Sequence, residues 1–130
     1  MLKVPSMFLK INPSSDVQSL LGEVDHFFVS YNIEKIKKME AHTIISEIIY
    51  NIKKYTPKGS IRLLIKNDIL YINGTDEGRG IDNFHQSIKD GYSTSGTLGL
   101  GFGAIFRLSD EVDIETSAHG TKINIEKRLK

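Results

Sequence analysis

The fold is decided by the stretch from Ile44 to Gly59, which reads IISEIIYNIKKYTPKG. Its isoleucines recur at the spacing that places apolar side chains on one face of a helix. The Pro-Lys-Gly sequence at its end stops a helix, because the residue before a proline is driven out of helical geometry. We therefore predict one long helix over residues 33–55 that packs on a core and ends at a turn.

Two polar side chains lie on this helix at the border of its apolar stripe. Glu47 and Asn51 are four residues apart, which places them about 40° apart on one helix face. A carboxylate partly shielded from water there suits a general base, and the amide oxygen of Asn51 suits Mg²⁺ held against phosphates. An exposed helix pair without chemistry fits the same spacing, so the pair alone does not decide the function.

The rest of the chain predicts an α+β fold. Alternating apolar positions indicate strands, and Pro5 marks the first as an edge strand. The predicted strands cover residues 3–11, 61–65, 69–72, 112–116 and 122–126. Further predicted helices end near residues 31, 89 and 109. Short turns between strands imply antiparallel pairs, so we predict a two-layer α/β sandwich whose mixed, mostly antiparallel sheet is covered on one face by helices.

The composition excludes several classes of protein and of site. The 130 residues suit one domain spanning residues 1–130, and 17 basic against 16 acidic residues leave a net charge of only +1. That charge gives no general attraction to nucleic acid or to an anionic membrane. The absence of cysteine excludes disulfides and thiolate sites. With no signal-peptide core and no apolar run of membrane-spanning length, we expect a cytoplasmic protein.

A second functional segment directly follows a predicted strand and reads Asp76-Glu77-Gly78-Arg79-Gly80-Ile81. Its glycines let a ligand lie against the backbone, because no Cβ blocks the approach. An aspartate beside them can accept a hydrogen bond from an exocyclic amine such as that of adenine. A tight strand-to-helix turn without a ligand is the alternative interpretation.

A third segment, from Gly91 to Gly103, is rich in glycine, serine and threonine and ends by opening a helix. Successive backbone N–H groups near the start of a helix form a concavity for anionic phosphate. The composition also suits a lid that closes over a bound nucleotide. It is not a P-loop, because no Gly-Lys-Ser/Thr follows, and an ordinary loop remains the alternative.

Taken together, the three segments resemble the nucleotide-binding boxes of the gyrase, chaperone and histidine-kinase (GHKL) ATPases, whose fold is the Bergerat ATP-binding fold. That superfamily has an E-x-x-x-N box, a D-x-G-x-G box and a glycine-rich box, in this order. The run from Asp90 to Phe102, followed by Arg107-Leu108-Ser109-Asp110-Glu111, is similar to the RsbT-type switch kinases within the anti-sigma serine/threonine kinases.

The resemblance implies a role for each matching position. Glu47 is expected to take the proton from the attacking hydroxyl, Asn51 to hold Mg²⁺, and Asp76 to bind the adenine amine beside Gly78. The other implied ATP contacts are Gly80, Ile81, Gly96, Leu98, Gly99, Leu100, Gly101, Gly103 and Thr121.

The resemblance further implies an ATP-dependent serine/threonine protein kinase that uses Mg²⁺ and phosphorylates a STAS-domain antagonist or scaffold. A sigma factor, or an output phosphatase or cyclase, is a further implied partner, and a homodimer stays open. Two alternatives also stay open. One is a nucleotide-dependent switch module with little kinase activity, and the other is a detached histidine-kinase catalytic domain.

The sequence departs from the superfamily pattern in two places. There is no lysine or arginine between Tyr92 and Phe106, where many members bring a basic residue to the phosphates. Arg79 or Lys54 is a candidate to supply that charge. Tyr55 occupies a position where several anti-sigma kinases carry histidine.

Overall fold

The computed structural model describes residues 4–78 and 102–130. Its strands are β1 (Ser6–Ile11), β2 (Gly59–Lys66), β3 (Ile69–Asp76), β4 (Glu111–Ser117) and β5 (Gly120–Arg128). Its helices are α1 (Val17–Val29), α2 (Lys35–Tyr55) and α3 (Phe102–Leu108). The predicted short helix that ends near residue 89 lies outside the described residues.

The strands form one five-stranded sheet in the order β1-β2-β3-β5-β4. All four pairings between these strands are antiparallel. The sequence predicted a mixed, mostly antiparallel sheet, and no parallel pair is found among the described residues. β1 lies at an edge, as Pro5 predicted. The α+β sandwich is confirmed.

Two tight turns set the register of the sheet. Asn67 and Asp68 join β2 to β3 with positive φ values of 52° and 61°, the geometry of a two-residue hairpin turn that Asn and Asp tolerate. β4 and β5 are paired from Ser117 and Gly120 outward. The second turn is therefore shorter than predicted, and β5 begins at Gly120 rather than at Lys122.

Local chemistry explains the start of α1 and the ends of α1 and α2, whereas α2 begins at Lys35, two residues later than predicted, without a side-chain cap. The Asp16 side chain accepts a hydrogen bond from the Gln18 backbone N–H at 3.1 Å, so α1 starts at Val17. The predicted end near residue 31 was two residues too long, since Ser30 caps the helix. α2 ends at Tyr55, as predicted, immediately before the segment that contains Pro57.

Helix α2 provides the centre of the core. It contributes six buried apolar residues, which are Ala41, Ile44, Ile45, Ile48, Ile49 and Ile52. They pack against the inner face of the sheet, where Ile61, Leu63, Leu70, Ile72, Ile123 and Ile125 are buried. None of the helices among the described residues is long and apolar enough to cross a bilayer.

A glycine sets how closely α2 approaches the sheet. Gly74 lies on the inner face of β3 and is buried. A Cβ at this position would meet Ile123 Cγ2 at 2.8 Å and Ile48 Cγ2 at 3.1 Å. Both contacts are closer than side chains normally pack, so any side chain here forces the helix and sheet apart.

We expect Gly74→Ala to lower the free energy of unfolding by about 1–3 kcal/mol, because it overpacks this contact. Gly22→Ala in α1 is the matched control. A Cβ at Gly22 meets nothing within 4 Å, and replacing a helical glycine with alanine stabilises by about 0.5–1 kcal/mol. Chemical denaturation of both variants measures the difference. Equal stability of the two would contradict the close contact at Gly74.

Candidate functional site

The polar face of α2 borders a surface depression. Glu47 and Asn51 are both half-buried, and they line a depression together with Pro13, Tyr50, Lys53 and Lys54. The pairing of Glu47 and Asn51 on one helix face is as predicted. Glu47 makes no hydrogen bond or ion pair with any residue that the structure describes.

Asp76, the last residue of β3, has one carboxylate oxygen fixed by the backbone. Its Oδ1 accepts the Gly78 N–H at 2.9 Å and the Thr121 N–H at 3.3 Å. Both hydrogen bonds use the same oxygen, and Oδ2 accepts none from the described part of the chain. The side chain is half-buried. The result is an oriented carboxylate whose Oδ2 accepts no hydrogen bond from the described residues.

The surroundings of Asp76 need small residues. A Cβ on Gly78 would lie 2.9 Å from Thr56 Cγ2, at the C-terminus of α2. Gly120 has φ +145°, and a Cβ there would lie 2.1 Å from the Asp76 carbonyl oxygen. The sequence motif identified Gly78 but missed Thr56 and Gly120. Gly120 directly precedes the predicted Thr121, and that adjacency is the signal that could have identified it.

Thr121 is brought beside Asp76 by strand pairing. The two residues are direct partners in the β3–β5 register. The Thr121 hydroxyl lies 3.0 Å from the hydroxyl of Thr116 on β4, and both residues line a depression that also contains Asp76 and Gly120. Thr121 therefore lies beside Asp76, and its predicted contact with ATP stays a prediction.

Helix α2 links the two halves of the candidate site. Ile48, next to Glu47, faces Gly74, and Thr56, just past the helix end, faces Gly78. Eight residues separate these contacts, which is roughly 12 Å of helix. The Glu47/Asn51 half of the candidate site thus lies on α2 itself, and the Asp76 half is tied to the end of the same helix through the contact between Gly78 and Thr56.

Several predicted contacts lie outside the described residues. These are Gly80, Ile81, Gly96, Leu98, Gly99, Leu100 and Gly101, together with Arg79. Gly103 is described: it lies in the first turn of α3 and is half-buried. α3 packs on α2, and Ile105 of α3 is fully buried, so Gly103 belongs to an element that contacts the helix carrying Glu47 and Asn51.

The donor set on α2 suits magnesium better than a transition metal. No group of three or more His, Asp or Glu side chains within residues 4–78 and 102–130 could hold a metal ion by itself. One amide oxygen and one nearby carboxylate are hard oxygen donors, and Mg²⁺ is commonly held by one or two such groups plus substrate phosphates. The site therefore fits a magnesium ion that arrives with a nucleotide.

Comparison with known proteins identifies relatives with this architecture. Residues 36–130 match the family described as histidine kinase-, DNA gyrase B- and HSP90-like ATPases, which is more than half of the chain. The chain is 39% identical over 93 residues to the serine/threonine-protein kinase RsbT of Bacillus subtilis, covering 68% of this chain and 70% of that one. It is 30% identical over 100 residues to the anti-sigma F factor of Bacillus licheniformis, covering 69% and 68% respectively.

Solved structures share the fold at low sequence identity. The RsbU and RsbW domains of a Mycobacterium tuberculosis protein superpose with a TM-score of 0.71 at 14% identity. That match covers 96% of this chain and 32% of the other. A histidine kinase domain from Erythrobacter litoralis gives a TM-score of 0.53 at 15% identity, covering 99% and 70%.

We expect Asp76→Ala to destabilise the protein by about 1–3 kcal/mol, because two backbone N–H groups lose their acceptor. Asp76→Asn keeps an amide oxygen in the Oδ1 position, so its free energy of unfolding should stay within about 1 kcal/mol of the parent. Urea denaturation of the two variants tests this. If both are equally destabilised, the bonds from Gly78 and Thr121 do not orient the side chain.

Proposed function

We propose that this chain, which belongs to the histidine kinase-, DNA gyrase B- and HSP90-like ATPase family, is an ATP-dependent serine/threonine protein kinase of a partner-switching pathway. The observation that carries the proposal is the pair of an oriented carboxylate at the end of β3, Asp76, and a glutamate on α2, Glu47, that has no partner among the described residues. The similarity to RsbT, named as a serine/threonine-protein kinase, supports this choice among the activities of the family.

Asp76 binds the adenine in this proposal. Its Oδ1 is held by the Gly78 and Thr121 backbones, so Oδ2 accepts a hydrogen bond from the exocyclic amine. Guanine presents a carbonyl oxygen at the equivalent ring position, and a carboxylate repels it. This arrangement therefore selects adenine nucleotides over guanine nucleotides.

Glu47 acts as the general base. The hydroxyl oxygen of the acceptor serine or threonine attacks the γ-phosphorus, the bond from phosphorus to the ADP oxygen breaks, and ADP leaves. The hydroxyl proton passes to the Glu47 carboxylate and then to water. Phosphoryl transfer demands mainly positioning and charge neutralisation, so one available carboxylate beside the phosphates is sufficient base chemistry.

Asn51 holds the magnesium that accompanies ATP. The ion, when bound, neutralises charge on the phosphate oxygens. Lys54 adds a second positive charge, since it lines the same depression as Glu47 and Asn51. Its Nζ lies 5.1 Å from the centre of the Tyr55 ring, which keeps the ammonium near the helix surface. Lys54 thereby compensates for the lack of a basic residue between Tyr92 and Phe106.

The acceptor in this proposal is a STAS-domain antagonist or scaffold protein, in the cytoplasm. A phosphate placed on such a protein adds close to two negative charges, which disrupts a packed interface and changes which partner binds. The glycine-rich contacts at Gly80, Ile81, Gly96, Leu98, Gly99, Leu100, Gly101 and Gly103 belong to the same proposed nucleotide site.

A second candidate is a nucleotide-dependent binding module with little phosphotransfer. Two observations favour it: the relative named anti-sigma F factor and the absence of a lysine or arginine between Tyr92 and Phe106. In that case bound ATP determines the conformation that binds a partner such as a sigma factor, and Glu47 is not needed for that binding.

We expect ATP with Mg²⁺ to raise the thermal stability of the protein, by about 2.7 kcal/mol at one hundred times the dissociation constant. Asp76→Asn should abolish most of this gain, because the amide puts either an N–H donor or a weaker neutral acceptor opposite the adenine amine. Asp113→Asn on the exposed face of β4 is the matched control and should respond like the parent. A parent protein that ignores ATP and ADP in differential scanning fluorimetry and calorimetry would refute the nucleotide site.

We expect Glu47→Gln to slow phosphate transfer by about 10²–10⁴-fold, the usual contribution of a general base, while leaving ATP affinity unchanged. The assay follows transfer of label from ATP to a purified STAS-domain protein of the same organism, with acid and alkali treatment of the product. Glu23→Gln on the exposed face of α1 is the control.

Three outcomes separate the candidate functions. Full activity of Glu47→Gln removes Glu47 as the base. Partner binding that needs ATP but is unchanged by Glu47→Gln, without label transfer, favours the binding module. Acid-labile, alkali-stable label on a histidine favours the detached histidine-kinase domain.

A further inference from the structure

One buried charge has no part in the site described so far. Lys127 on β5 is only 3% exposed, and no other charged side chain in the described part of the chain is buried. Its Nζ lies 3.2 Å from Glu40 Oε1 and 2.6 Å from the Leu108 carbonyl oxygen. A buried ammonium is costly unless it is paired and hydrogen-bonded, and these two contacts supply both.

The three groups come from three different elements. Lys127 belongs to the sheet, Glu40 to the first half of α2, and Leu108 is the last residue of α3. The carbonyl of Leu108 is among those that a helix leaves without an intrahelical partner at its C-terminus. A lysine is favourable there because it meets the negative end of the helix dipole. Lys127 therefore fastens the end of α3 to both α2 and the sheet.

The attachment point on α2 lies on the functional face of that helix. Glu40 precedes Glu47 by seven residues and Asn51 by eleven. At about 100° per residue, all three side chains fall within about 20° of one direction around the axis. α3 is thus fastened in line with the candidate base and the candidate magnesium ligand. Gly103 belongs to the glycine-rich segment and lies in the first turn of α3. Its position therefore depends on where α3 is held.

We propose that Lys127 is a positioning residue for the nucleotide site, which it serves by holding α3 and Gly103 in register with the Glu47/Asn51 face. The inference rests on the proposed ATP site. Lys127 touches no part of that site, so its effect passes through the position of α3. A buried lysine that merely stabilised the fold would change the melting temperature and leave the intrinsic ATP affinity unchanged.

The test compares ATP affinity with stability in two variants. Lys127→Met removes the ammonium at similar length and leaves Glu40 without its partner, so both the melting temperature and the ATP affinity should fall. Lys127→Met combined with Glu40→Met removes both charges, and apolar replacement of a buried pair is often neutral or stabilising. We expect the double variant to recover its melting temperature but to keep a roughly tenfold weaker ATP affinity, since the Leu108 carbonyl still lacks its lysine.

The control is a variant destabilised elsewhere. Leu9→Ala on β1 opens a cavity at the opposite edge of the sheet from β4, where Leu9 is 3% exposed. It should lower the melting temperature yet bind ATP like the parent. Titration calorimetry with ATP and Mg²⁺, at a temperature where circular dichroism shows every variant folded, gives the dissociation constants.

Two outcomes overturn the inference, and they are distinct from failure of the proposed function. If the double variant binds ATP as tightly as the parent, Lys127 acts on stability alone. If Leu9→Ala weakens ATP binding as much as the lysine variants do, the affinity follows general stability. If the parent itself does not bind ATP, the proposed function fails together with the inference. If Lys127→Met does not fold, the double variant and Leu9→Ala still decide the question.

Discussion

Helix α2 lies directly on the sheet because Gly74 leaves no side chain between Ile48 and Ile123. This contact determines more than packing. It fixes the height at which Glu47 and Asn51 stand above the sheet, and it fixes the end of the helix, where Thr56 meets Gly78. Since both halves of the candidate site depend on the position of one helix, any shift of α2 moves Glu47 and Asn51 relative to Asp76.

The sheet supplies the other half of the site through strand ends. Asp76 is the last residue of β3, and Thr121 stands opposite it on β5. A backbone N–H from each neighbouring segment holds one oxygen of Asp76, so the carboxylate is oriented before a ligand arrives. Preorganisation of this kind reduces the conformational entropy lost on binding. Gly120 makes the arrangement possible, because a side chain there would collide with the Asp76 carbonyl.

The candidate site residues lie at the borders of the core, so the interior that the structure describes contains few polar side chains. The core is built mainly from isoleucine, leucine, valine and phenylalanine. The candidate functional residues lie at its borders: Glu47 and Asn51 on α2, and Asp76 at the end of β3. Within residues 4–78 and 102–130, Lys127 is the one charged side chain that is buried. Its ammonium joins α2, α3 and the sheet at one point, and the cost of burying it is offset by a carboxylate and a helix-terminal carbonyl.

The sequence by itself determined the elements and the candidate residues whose signals are local. The isoleucine spacing predicted α2, Asn67-Asp68 predicted the hairpin, and the first two boxes identified Glu47, Asn51 and Asp76 as candidates. It left the ends of β3 and β5 too short, because strand pairing extends them beyond their apolar cores. Only the tertiary structure decided the antiparallel strand order, the need for Gly74 and Gly120, and the burial of Lys127. Each of these depends on what another segment places within a few ångströms, and contacts between residues distant along the chain leave no periodic trace in the sequence.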